Sequence, residues 1–78
     1  MTYTLPQYNT DCVLNMRLTS QRLTVVLTHE GTVLDRLDYA KTGDTVRVPG
    51  GYPQTALGAC QHAGNYWFVR PEYSRTRA

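Results

Sequence analysis

"TVLDRLDYAKTG", residues 32–43, can be read as a helix or as a strand, and the choice decides the fold. For a helix, Thr32 followed three residues later by Asp35 makes a capping-box pattern. Val33, Leu34, Leu37 and Ala40 then recur at helical spacing, with Lys41 in the last turn and Gly43 at the stop. For a strand, Val33, Leu37 and Tyr39 share one face, and Asp35 sits out of place among them. The helix would be barely two turns, too short to hold without packing. Its neighbours are strands. We therefore read residues 32–41 as a strand and expect a β-bulge near Asp35, where the alternation fails.

The neighbours settle that preference through period two. In "CVLNMRLT", residues 12–19, Cys12, Leu14, Met16 and Leu18 share one parity, while Val13, Asn15, Arg17 and Thr19 hold the other. "RLTVVLTH" repeats the pattern: Leu23, Val25 and Leu27 point inward, and Arg22, Thr24 and Thr28 outward. "TSQ" (19–21) and "EG" (30–31) are the turns that make a meander. Beyond the "KTGD" turn, "TVRVP" is a short strand with Val46 and Val48 inward and Arg47 outward. "PGGYP" is a rigid loop.

"QTALGACQHAG", residues 54–64, reads as a short helix or an irregular segment, and "NYWFVR", 65–70, as the last strand, ended by Pro71. Residues 71–78 form a polar tail expected to fray. The fold class is all-β: one domain over residues 1–78, a small antiparallel barrel or sandwich of five to six short strands, with room for one short helix.

At 78 residues such a domain buries only about 60–65% of its unfolded surface. Chains of this size often lean on a disulfide, a metal or a partner. Few edge charges block strand pairing, so a homodimer by edge or face pairing is an expectation. No 18-residue apolar run exists, so no membrane partner is expected. The start "MTYTLPQYNT" lacks the basic and apolar regions of a signal peptide, which points to a cytoplasmic protein with Cys12 and Cys60 reduced; in a trimmed, exported form the two would instead be able to pair and close a long loop.

Candidate chemistry is sparse. Cys60 and His62 would share a face on a strand, yet zinc wants four ligands, and only Cys12 and His29 remain, remote from each other. A Cys–His nucleophile needs its histidine within reach of the thiol and a third group to orient it. Side chains parallel on one strand do not supply that. Asp35 and Asp38 fall on opposite strand faces, and "PGGYP" has the glycines of a phosphate loop without its lysine or helix. We expect no enzyme, no metal and no cofactor.

Arginines and aromatics are the better lead. Seven arginines stand against one lysine, and arginine offers a planar fork that matches carboxylates and phosphates. In Tyr66–Trp67–Phe68, either Trp67 or the Tyr66/Phe68 pair must face outward from a strand. Tyr3, Tyr8, Tyr52 and Tyr73 lie in loops or termini. Tyrosine, tryptophan and arginine dominate binding hot spots. The expected contact residues are Arg17, Arg36, Arg47, Tyr52, Trp67 and Arg70. By analogy of size, the expected function is a non-enzymatic inhibitor or antagonist of a larger cytosolic machine, such as a phage-encoded one, with another protein as partner. Two alternatives stand beside it. One is a small barrel binding single-stranded nucleic acid through Tyr66, Trp67, Phe68 and Arg70, less favoured because one lysine and six acids leave little net charge. The other is a symmetric oligomer holding a small anionic ligand such as a nucleotide.

Overall fold

The computed structural model describes residues 1–5, 10–50 and 53–69. Six strands run in chain order: β1 (Thr2–Leu5), β2 (Thr10–Leu18), β3 (Arg22–His29), β4 (Thr32–Thr42), β5 (Thr45–Arg47) and β6 (Pro53–Gln54). A single helix among the described residues, α1 (Ala56–Phe68), follows them. Each strand pairs antiparallel with the next, so the sheet is an unbroken meander curled into a half-barrel. No described helix is long and apolar enough to cross a membrane.

The alternation read from the sequence sorts the two faces. Leu23, Val25 and Leu27 of β3 are fully buried on the concave side, joined by Cys12 and Leu14 of β2, Tyr39 of β4, and Val46 and Val48 around β5. The β3–β4 turn has Glu30 at φ 50° and Gly31 at φ 83°. Two consecutive positive φ angles are the two-residue geometry that follows the twist of a hairpin, and glycine adopts its half at no steric cost.

Residues 32–42 are a strand, and the bulge falls beside Asp35. Leu27 pairs with Asp35, but the next residue, Thr28, pairs with Val33, so Leu34 is the extra residue. The parity of β4 reverses there. Val33, expected on the same face as Leu37 and Tyr39, is turned to the convex side and is 62% exposed. Asp35 stays on the concave side because it has work there. Its Oδ2 accepts the indole N–H of Trp67 at 2.9 Å, and its Oδ1 accepts the backbone N–H of Arg36 at 2.7 Å. A misfit in the apolar pattern is thus the acceptor for a buried donor.

The segment read as a last strand, "NYWFVR", is corrected: through Phe68 it belongs to α1. Thr55, in extended conformation, caps the helix, its Oγ1 accepting the Gly58 N–H at 3.0 Å. Ala59, Cys60, Ala63, Gly64 and Trp67 then form one buried stripe at helical spacing. The aromatic run favours a strand locally, but the concave sheet needs a lid, and this stripe supplies it. Small residues let the helix lie close, and Trp67, 0% exposed, is the largest fully buried side chain among the described residues. Truncating a buried tryptophan typically costs about 3–5 kcal/mol.

Two further expectations are corrected. Tyr3 is half-buried in β1 against the core, not in a loop, and its ring meets Phe68 edge-on with centroids 6.0 Å apart. Met16 and Leu18 lie on the concave side by register, yet each is 48% exposed, because α1 covers that corner incompletely, meeting Met16 through Cys60. Helix and sheet meet more closely at Gly64, where an added Cβ would lie 2.8 Å from Tyr3 Cε1.

Gly64→Ala should therefore destabilise the fold by about 1–2 kcal/mol net, overpacking against the Tyr3 ring outweighing the gain in helix propensity. Gly58→Ala is crowded by the end of the flexible Gln54 side chain, with Thr55 Oγ1 at ordinary contact distance, and should be neutral or stabilising. Equal urea midpoints for the two variants would refute this packing. Asp35→Ala should cost about 1–3 kcal/mol by orphaning the Trp67 N–H, and Asp35→Asn, which keeps an acceptor, distinctly less. Denaturant titration followed by tryptophan fluorescence measures both.

Candidate binding face

The convex side of the half-barrel is built from the other parity, and register aligns its residues in rows. Asn15, Val26 and Arg36 form one row across β2, β3 and β4. Arg17, Thr24 and Asp38 form the next. In the third, Arg22 pairs with Ala40, and the Lys41–Val46 pairing brings Arg47 level with Ala40 on β5. Four arginines, all exposed, thus stand on three neighbouring rows of one face. Successive rows on one face are about 7 Å apart and neighbouring strands about 5 Å, so the guanidinium groups lie within reach of a single partner surface.

Asp38 is the acid among them. It accepts the Thr24 hydroxyl at 2.6 Å and pairs with Arg36, Nε to Oδ2 at 3.1 Å. The Thr24 hydrogen bond is the largest cause holding its carboxyl below the ordinary 3.8; burial opposes it, and the Arg36 hydrogen bond and charge and the charge of Arg22 add to the lowering. This network stands Arg36 up in one orientation. Arg17, Arg22 and Arg47 make no ion pair among the described residues. A groove of about 680 Å³ runs between Arg17, Arg22 and Arg36, floored by Asn15, Thr24 and Val26. Beyond Asp38 a second hollow of about 420 Å³ is bordered by Arg47, Ala40 and Pro49.

Of the residues expected at a contact surface, Arg17, Arg36 and Arg47 come together here. Arg22 joins them. Sequence reading placed it outward but left it out of the contact set; its shared parity with Thr24 is the signal that links it to the others. Trp67 is buried and belongs to the core. Tyr52 and Arg70 lie outside the described residues. Tyr66 and Phe68 are both partly exposed, but on α1 they diverge instead of sharing one face, and Phe68 rests edge-on against Tyr3.

The Cys60–His62 pair does not converge. On a helix, side chains two apart diverge by about 200°, so Cys60 turns to Met16, Sγ to Sδ 3.3 Å, and His62 Nδ1 faces the Tyr39 hydroxyl at 3.2 Å. Both cysteines are free thiols. Burial pushes the Cys60 thiol up, and burial together with the charge of Asp11 does the same for Cys12, opposite to the shift that activates a nucleophile. Burial, with the nearby Cys60 and Tyr66 groups, pushes Tyr39 up to about 12, so its hydroxyl stays protonated beside His62. Among the described residues no three His, Cys, Asp or Glu side chains gather as a metal-ligand group.

Compared with known family models, curated proteins and solved structures, the chain matches none.

Thr24→Val should raise the titration midpoint of Asp38 toward 3.8, read from its side-chain carboxyl carbon by NMR. The sign follows from the depressed value: Asp38 contributes stability above pH 3.8, which is lost as pH falls through its lower folded midpoint. An unmoved midpoint would assign the whole depression to the arginines.

Proposed function

We propose that this is a non-enzymatic binding protein that docks its convex arginine face on an acidic surface of a larger protein, in a cytoplasmic setting, and acts as an inhibitor or antagonist by covering that surface. The observation that carries the proposal is the gathering of Arg17, Arg22, Arg36 and Arg47 on three adjacent rows around a groove, with Asp38 as the acid in their midst. Charged residues are only 18% of the chain, so concentrating four cations on one face polarises a surface otherwise poor in charge. Arginine pairs with carboxylates in a two-pronged geometry. Rigid strands carry these side chains, which keeps the entropic cost of docking low.

A second reading has a specific observation in its favour. The groove of about 680 Å³ is within the 300–1,000 Å³ usual for small-molecule sites, and three arginines around it suit a compact anion such as a nucleotide. Stacking of nucleic acid on Tyr66, Trp67 and Phe68 loses its central ring to the core.

Affinity capture from a lysate, with and without nuclease, separates these. The tagged protein should retain a protein partner through nuclease treatment. The triple variant Arg17→Ala/Arg22→Ala/Arg47→Ala should lose it by about 100-fold, since each hot-spot side chain typically carries over about 1 kcal/mol. Equal capture by the variant would reject the face. Material removed by nuclease would transfer it to nucleic acid.

A further inference from the structure

β2 is nine residues long and its outer neighbour β1 only four. β1 covers Thr10 to Val13, and Met1 carries the ladder to Leu14. From Asn15 to Leu18, β2 pairs with β3 alone among the described residues. Successive residues of an antiparallel strand send their backbone groups alternately to one neighbour and the other. Leu14 sends both of its groups to the β1 side, its N–H to Met1 O at 2.7 Å and its C=O to the Met1 nitrogen at 3.2 Å. Thr19 sends its N–H to the β3 side, to Arg22 O at 2.9 Å. The N–H and C=O groups of Met16 and Leu18 therefore point out of an edge that no other described strand covers.

The same two residues carry half-exposed apolar side chains on the concave face, Met16 touched on one side by Cys60 of α1. On the convex face of this edge stand Asn15 and Arg17, at the mouth of the groove that holds Arg22 and Arg36. One short edge thus offers backbone donors and acceptors, an apolar strip on one side and cations on the other.

We propose that the Asn15–Leu18 edge of β2 is a strand-docking site for an extended segment of a partner protein in which apolar and acidic residues alternate. Added as a strand, such a segment pairs its backbone with Met16 and Leu18, lays its apolar side chains against theirs, and turns its acidic ones to Arg17 and the arginines beyond. Charge selects this occupant over a second copy of the chain. Antiparallel self-pairing along Asn15–Leu18 sets the two Arg17 side chains on one face within about 5–8 Å, with no acid in that stretch to separate them. The proposal rests on the reading that the convex arginines bind an acidic protein, and adds the mode of attachment.

The test uses the full chain, isotopically labelled, with an eight-residue peptide alternating valine and glutamate. Met16 and Leu18 amides should exchange with solvent about tenfold more slowly at a peptide concentration about ten times its Kd. A valine–lysine peptide should give no protection, nor should the glutamate peptide N-methylated on its edge-facing amides. Arg17→Glu should reverse the preference between the two charged peptides, and Leu18→Lys should weaken binding of the glutamate peptide. Both variants alter side chains already exposed, and their amide spectra report whether the fold is kept. Peptide binding that shifts the arginine resonances but leaves Met16 and Leu18 exchange unchanged would overturn the edge site and leave the convex-face reading standing. No binding of the glutamate peptide at millimolar concentration would overturn the edge site as well, whereas failure of the triple arginine variant to lose its captured partner would count against the face itself.

Discussion

The indole N–H of Trp67 bonded to the carboxylate of Asp35 is the joint on which this fold turns. A one-sided sheet this small must cover its concave face, and α1 supplies the cover among the described residues. Trp67 provides the bulk of that cover, but its N–H can be buried only against an acceptor. The bulge at Leu34 keeps Asp35 on the concave side to provide one, and at the same time turns Val33 outward and lets a two-residue turn close the β3–β4 hairpin. With the helix pinned there, Gly64 comes to rest on Tyr3 and His62 on Tyr39.

The lid is shorter than the surface it covers, and that shortfall shapes what remains open. Thirteen helical residues bury the centre of the half-barrel and leave the far corner of β2 half-exposed on its concave side. Four residues of β1 leave the same corner without a strand neighbour on that edge among the described residues. The convex side is differentiated by register alone. Strand pairing brings arginines that lie between 5 and 30 positions apart in the chain onto neighbouring rows, and Thr24 and Asp38 hold one of them. Core, edge and charged face are three consequences of one meander and the short helix laid across it.

Much of this was legible in the chain itself. Period-two alternation marks β2, β3 and β5 because one face of each is buried and the other is not, and the misfit of Asp35 marks the bulge. The outward parity of Arg17, Arg22, Arg36 and Arg47 could be read as well. Only the tertiary structure decided the rest. Residues 66–68 have β-favouring side chains, and their helix forms because a tryptophan needs a cavity and an acceptor that lies 32 residues back in the chain. Alternation assigns Met16 and Leu18 to a face but is silent on how far a lid reaches over it. The arginines become one surface only when strand register aligns them. Local pattern encodes which way a side chain points; what it meets there is set by contacts between segments distant in sequence, and no local preference carries that information.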